Sequence, residues 1–464
     1  MNNMKKSIRR VFWILAICFF LLFGYMVHLV VVQRDGIITN SYNVRLNRDD
    51  ATIQRGSIVD CDGMVIARSV LQADGTYVRE YPRYRMSAHI TGYNSMGKAG
   101  LELSENFTLL NLHNEILQRV QSVALGTELV GDSIQLTIDM DIQSLAGDLL
   151  GSANGAIVVM EPDTGKVLAM QAYPDYDPNT IAADWSSLRE DENSPLVNRG
   201  TQGLYPPGST FKLMTALYIM QNYDNWEDIQ YTCTGEASFA NKTIRCYGNT
   251  AHGDLDLNGA LTVSCNCFFA EYATQLGQDD LLDTMLDMSM LDKIPFDVAT
   301  SLNRIGLSGD STESELVETS IGQGNTLVTP LYMAMFASAI ANDGEMMTPY
   351  MVDRVIYSDG SYGSSASPDV FQKIMSDEEA DLLTDMMVSV VSSGTGTAAQ
   401  ISGYTVAGKT GTAENATGND HSWFIGFAPA EDPQVAVAVL IENSDKYGKA
   451  TPIAKQMLEF ALNQ

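Results

Sequence analysis

The longest apolar run lies near the start of the chain. Residues 11–32, VFWILAICFFLLFGYMVHLVVV, contain no Asp, Glu, Lys or Arg. A helix of that length, rising about 1.5 Å per residue, spans roughly 33 Å and crosses a bilayer. The preceding MNNMKKSIRR carries Lys5, Lys6, Arg9 and Arg10 and no acid, and Arg34 follows soon after the run. This asymmetry predicts a cytoplasmic N-terminus and an exported remainder. The run exceeds the apolar core of a cleaved leader, and VVVQRDGIITN offers no small-x-small site, so an uncleaved anchor is expected. His28, near the outer end, falls at the interface and receives no function.

Residues 33–125 are mixed and turn-rich. ATIQRGSIVDCDGMVIARS alternates apolar and polar positions around Asp62-Gly63, a β-hairpin pattern. NFTLLNLHNEILQRVQSV has room for a short helix. From about 126 the pattern changes. DSIQLTIDMDIQSLAGDLL predicts a strand and then an amphipathic helix, and GAIVVMEPDTGKVLAMQAY predicts strands over 156–161 and 167–172 around a Pro-Asp turn. Helical stretches dominate 208–340. TVAGKTGTAE, HSWFIGFAP and QVAVAVLIEN predict strands, and ATPIAKQMLEFALNQ closes on a helical period. Strands, then helices, then strands again predict an α+β domain whose sheet draws on both ends.

The 464 residues, 45% hydrophobic, suffice for one large core and a smaller domain. Net charge is −29, and about −33 without the four N-terminal cations, which argues against nucleic acid as a partner. Of six cysteines, Cys18 lies in the anchor and Cys61 in the hairpin. Cys233 and Cys246 flank a strand–turn–strand segment that would bring them together, and an exported site permits a disulfide. Cys265 and Cys267 would share a face on a strand. With no C-x2-C pair and no ligands apparent nearby, no metal site is expected. The 23 methionines are read as core filler.

The sharpest local signal is YPPGSTFKLM, residues 205–214. Pro206, Pro207 and Gly208 stop one element and deliver the chain into a helix, with Ser209 near its N-cap. Ser209 and Lys212 would share one helical face. A serine hydroxyl needs a base, and a lysine serves if burial or another cation pulls its pKa towards about 7–8. None of the five histidines stands in a G-x-S-x-G setting. Two later motifs strengthen this: Ser264-Cys265-Asn266 as S-x-N and Lys409-Thr410-Gly411 as K-T-G. The three in this order form a recognised acyl-transfer set.

With these motifs the chain resembles the class B penicillin-binding proteins, the transpeptidases of peptidoglycan synthesis. SIGQGNTLVTPLYMAMFASAIANDG, SSGTGTAAQISGYTVAGKTGTAENA, HSWFIGFAP, QRGSIVDCDGMVIARS and GDSIQLTIDMDIQSLA extend the resemblance over nearly the whole length. The resemblance implies an antiparallel sheet with flanking helices and an all-helical subdomain. It divides the chain into a cytoplasmic tail (1–10), an anchor (11–32), a small β-rich pedestal-like module (33–125) and a transpeptidase domain (126–464).

It also implies roles. Ser209 acylates on a D-Ala-D-Ala carbonyl, and Lys212 accepts the serine proton. Ser264 relays a proton to the departing D-alanine, and Asn266 holds the substrate amide. Lys409 adds positive charge beside Lys212, Thr410 and Thr412 bind the terminal carboxylate, and Gly411 admits the substrate backbone. The oxyanion lies between the N–H groups of Ser209 and Thr412. No metal or cofactor is required. β-Lactams acylate the same serine. The short module leaves no room for a glycan polymerase, so the implied partner is a separate membrane glycosyltransferase of the shape, elongation, division and sporulation family. Trp423 is read as core or cleft wall, Glu414 as surface charge, and the turn at 394–397 as structural. Two alternatives stand beside this reading: a carboxypeptidase or β-lactamase-like hydrolase, and a catalytically silent scaffold.

Overall fold

A computed structural model describes residues 2–31, 53–110, 130–240, 242–415, 418–444 and 449–464. Helix α1 (Asn2–Val31) is long and apolar enough over Arg9–His28 to cross a membrane, and none of that window is buried against the rest of the chain.

The hairpin at Asp62-Gly63 forms as expected. β1 (Ile58–Val59) pairs antiparallel with β2 (Val65–Leu71), and Gly63 takes φ +85° in the turn. β3 (Tyr77–Glu80) extends the hairpin. β4 (Ser133–Leu136) runs parallel to β1. A buried ion network fastens this region: Glu102 accepts from Arg55 Nε and Arg79 Nε at 2.6 Å each. Only residues 106–109 of the helix expected in NFTLLNLHNEILQRVQSV are seen as helical, and 111–129 lie outside the described residues.

The predicted strand–helix–strand–strand series follows as β4, α2 (Met140–Leu150), β5 (Gly155–Met160) and β6 (Val167–Tyr173). Asp139 caps α2 by accepting from the amides of Asp141 and Ile142. Four short strands come next: β7 (Tyr231–Cys233), β8 (Glu236–Phe239), β9 (Lys242–Arg245) and β10 (Gly253–Leu255), in the pairs β7–β10 and β8–β9. They lie on a helical layer that includes α3 (Lys212–Asn222), α4 (Asn266–Leu276) and α5 (Glu313–Ser320).

α6 (Pro330–Ala341) is buried throughout except at its last residue. β11 (Glu345–Met347) pairs with β14 (Val370–Lys373). β12 (Val352–Ile356) and β13 (Tyr362–Ser365) join β4, so one six-stranded sheet, β13-β12-β4-β1-β2-β3, ties this late segment to the early hairpin. α7 (Asp377–Ser393) starts at a capping box of Ser376 and Glu379. β15 (Ala407–Ala413), β16 (His421–Ala428), β17 (Val435–Ile441) and α8 (Ala450–Ala461) complete the chain.

The central sheet, β15-β16-β17-β5-β6, is antiparallel and draws strands from both ends of the domain. Alternation divides its side chains between two cores. Val437, Val439 and Phe424 pack with α2 and α8 on one face. Ala436, Ala438 and Trp423 pack with α6 on the other. β15 is the edge strand, and its free side faces the helical layer.

Candidate active site

The site is built where three elements meet. Tyr205 pairs with Val328 through two backbone bonds of 3.0 and 2.9 Å, and the chain then turns at Pro206-Pro207. Gly208 takes φ +56°, and its N–H donates to the Gly322 carbonyl at 2.8 Å. A Cβ on Gly208 would stand 2.5 Å from the Thr412 carbonyl oxygen, so only glycine lets β15 approach this closely. Ser209 lies near the N-cap, as expected, two residues after it. The Gly208 turn starts a 3₁₀ segment, Gly208–Phe211, whose cap is Pro207, and Ser209 lies inside it. Ser209 is part-exposed and Lys212, first residue of α3, is fully buried.

Lys212 does not hydrogen-bond Ser209 here. Its Nζ donates to the Ser264 carbonyl at 2.8 Å, to Ser264 Oγ at 3.2 Å and to Asn266 Oδ1. Ser264 sits at φ +58° between two helices, and Asn266 opens α4. Asn266 Nδ2 donates to the Arg245 carbonyl at 2.7 Å. From β15, Lys409 Nζ donates to the same Ser264 hydroxyl at 3.1 Å and to the Thr410 carbonyl at 3.0 Å. The Ser264 hydroxyl is thus held between two buried lysines.

Burial pulls Lys212 down to about 8, against the neighbouring thiols of Cys265, Cys246 and Cys267, which favour its charge. Burial also holds Lys409 well below the ordinary lysine range, and the charge of Lys212 adds to that. Two ammonium groups sharing one hydroxyl oppose each other's charge, so the pair favours holding one proton over two.

A cleft of about 810 Å³ opens above these groups, lined by Ser209, Ser264, Asn266, Thr410, Gly411 and Thr412 among others. Residues 155–459 match the penicillin binding protein transpeptidase domain, and residues 55–134 the penicillin binding protein A dimerisation domain.

The chain belongs to the penicillin-binding protein transpeptidases.

Among relatives, the peptidoglycan D,D-transpeptidase PbpA of Mycolicibacterium smegmatis is 35% identical over 99% of this chain and 100% of its own length. The imipenem acyl-enzyme of penicillin-binding protein A from M. tuberculosis superposes with a TM-score of 0.83 at 31% identity, covering 89% of this chain and 99% of that one. A D,D-transpeptidase domain from Eggerthella lenta gives 0.82 at 35% identity, covering 89% and 99%.

Within this penicillin-binding protein, all eight expected site residues gather at one place. Gly411 has a packing reason of its own: a Cβ there would lie 2.9 Å from both Thr210 Cγ2 and Trp423 Cβ. Trp423 is buried as expected, and its Nε1 donates to the Pro206 carbonyl at 3.0 Å. Glu414 is exposed at the cleft rim. The turn at 394–397 does more than shape the chain. Thr395 lines the cleft, and its hydroxyl lies 2.7 Å from that of Thr410. The sequence also did not single out Lys242 and Glu318, which line the cleft and form an ion pair. They come from elements 76 residues apart, and no local pattern joins them.

Two cysteine expectations need correction. Cys265 and Cys267 are not on a strand: Cys265 caps α4 and Cys267 lies in its first turn. Ligands are not missing nearby either, because Cys233, Cys246 and His252 fold up against Cys265. Cys233 and Cys246 do approach one another, but as free thiols with Sγ atoms 3.7 Å apart.

Proposed function

We propose that this protein is a membrane-anchored peptidoglycan D,D-transpeptidase that crosslinks stem peptides through a Ser209 acyl-enzyme, and that β-lactams acylate the same serine. The observation that carries this reading is the Ser264 hydroxyl between Lys212 and Lys409, at 3.2 and 3.1 Å, beneath a cleft that Ser209 lines.

Ser209 Oγ attacks the carbonyl of the penultimate D-alanine, and the bond to the terminal D-alanine breaks. Lys212 takes the serine proton, and Ser264 passes a proton to the departing amine. An amine of a second stem peptide then attacks the ester, restoring Ser209 and forming the crosslink. The backbone N–H groups of Ser209 and Thr412 receive the oxyanion. Asn266 holds the substrate amide, and Gly411 leaves the strand edge open to the substrate backbone. The terminal carboxylate binds Thr410 and Thr412. Its negative charge favours a proton on Lys409, which leaves Lys212 as the neutral base. The Ser209–Lys212 bond missing in the free enzyme forms when substrate arrives, as apo catalytic contacts often do.

Residues 11–32 anchor the chain with 1–10 on the cytoplasmic side. The module over 33–125 and the catalytic region over 126–464 face the cell wall. Anchor and module meet a membrane glycosyltransferase of the shape, elongation, division and sporulation family, which supplies glycan strands. The apolar helix and the cations before it support this orientation.

A synthetic stem peptide ending in D-Ala-D-Ala, incubated with a D-amino acid acceptor, tests the reaction. The expected product carries the acceptor in place of the terminal D-alanine. Only the shortened acid would place the protein among the carboxypeptidases.

A further inference from the structure

Behind the Ser264 segment the fold collects thiols that the acyl transfer does not use. Cys233 ends β7, Cys246 follows β9, and Cys265 caps α4. Their Sγ atoms are 3.7 Å apart for Cys233–Cys246 and 3.6 Å for Cys246–Cys265. Cys233 Sγ is 3.5 Å from His252 Nδ1. One ligand atom from each of these four residues lies within 4.8 Å of every other.

These three separations fit a shared metal ion and not a disulfide. A disulfide requires about 2.0 Å between sulfurs. A tetrahedral zinc ion, with bonds of about 2.3 Å to sulfur and 2.0–2.1 Å to nitrogen, sets S···S edges near 3.8 Å and S···N edges near 3.5 Å. Three thiolates and one imidazole form a closed Cys₃His set of the structural kind. Cys267 stays outside it. Its Sγ is 3.6 Å from that of Cys246, but it points at the Ile244 carbonyl, 3.8 Å away.

We propose that Cys233, Cys246, Cys265 and the Nδ1 atom of His252 bind one Zn²⁺ ion, and that this ion positions Ser264 and Asn266.

The ligands are neighbours of the groups they would fix. Cys265 lies between Ser264 and Asn266. Ser264 holds φ +58°, a left-handed conformation that a serine keeps only where its surroundings impose it. Cys246 follows Arg245, whose carbonyl accepts from Asn266 Nδ2 at 2.7 Å. The Cys265 sulfur already accepts the Phe268 amide at 3.4 Å, an outer contact suited to a metal thiolate. The ion would therefore clamp the β7–β10 and β8–β9 sheets to the start of α4, where Lys212 finds its acceptors. The spacing, C-x12-C-x5-H-x12-C, lacks the short pairs by which such sites are read from sequence.

The test uses the full chain in detergent, with elemental analysis and native mass spectrometry after dialysis against micromolar Zn²⁺. About one zinc per chain is expected. His252→Ala and Cys233→Ser lose it and Cys267→Ser keeps it. Co²⁺ added to the stripped protein should give the visible spectrum of a tetrahedral thiolate site. Stripping zinc should slow acylation by a fluorescent penicillin roughly tenfold or more, with recovery when zinc returns. Ser209→Ala should bind zinc normally, so failure of the acyl-transfer reading and failure of the metal reading are distinguishable. Folded wild-type protein without zinc, or with a Cys233–Cys246 disulfide found by peptide mapping, would overturn the site. Zinc bound with no effect on acylation would overturn its positioning role.

Discussion

Lys409 Nζ lies 3.1 Å from the hydroxyl of Ser264, a residue 145 positions earlier in the chain. The contact ties the edge strand of the central sheet to the helical layer. It holds Ser264 where Lys212 also reaches it, so removing Lys409 should disturb proton movement and substrate binding together. Lys409→Ala should lower the second-order rate of penicillin acylation by roughly 10²–10⁴-fold, the range of general acid–base effects. Stopped-flow acylation of folded protein, checked by circular dichroism, measures this. A loss of less than threefold would remove Lys409 from the chemistry.

Acylation should depend on pH through Lys212. Its pKa is lowered to about 8 by burial, and only the neutral amine accepts a proton. Below that value the lysine is mostly charged, so the rate should climb about tenfold per pH unit and level off above it. A profile flat from about pH 6 to 9 would exclude a titrating Lys212 as the base.

Gly208→Ala should harm both stability and rate. Its φ of +56° disfavours any L side chain, and the added Cβ would meet the Thr412 carbonyl at 2.5 Å. The left-handed strain alone costs about 1–2 kcal/mol. The clash should also push β15 away from Ser209, so acylation should slow by more than the stability loss explains. Denaturant titration and acylation rates on the same preparation separate the two effects.

The Glu102 network should govern acid stability of the early module. Burial alone would raise this carboxyl, but Arg55 and Arg79 overcome it and hold the pKa at about 2. A group depressed in this way stabilises the fold above its unfolded pKa near 4.5 and loses that contribution as pH falls towards 2. The shift corresponds to about 3 kcal/mol. Glu102→Gln should destabilise by roughly 3–5 kcal/mol at neutral pH, because two buried guanidinium groups lose their counter-charge. Urea unfolding at pH 7 and pH 4 tests it. The difference between wild type and variant should shrink at the lower pH.

Much of this molecule was legible in its pattern. Short apolar runs bounded by turn residues located β5, β6, β16 and β17, because strands buried on both faces are apolar almost throughout, and the Asp62-Gly63 turn located the first hairpin. The three motifs were legible as residues, and Gly208 marked the sharp turn. What escaped were relationships across long separations. That Lys212 faces Ser264 and Asn266 instead of Ser209 depends on where α4 packs. Thr395 reaches Thr410 only because α7 ends beside β15. The strand–turn–strand segment already pointed to the approach of Cys233 and Cys246, but His252 and Cys265 join them only because two small sheets fold onto α4. Glu102 read as one acid among many, and its burial between Arg55 and Arg79 is a tertiary fact.

Ser209 as the acylated nucleophile is tested most directly by intact mass. The protein is incubated with benzylpenicillin beside Ser209→Ala, and both are followed for hours. A single persistent adduct on the wild type, localised to the peptide containing Ser209 and absent from the variant, is the predicted result. An equal adduct on Ser209→Ala, or none on folded wild type, would contradict it.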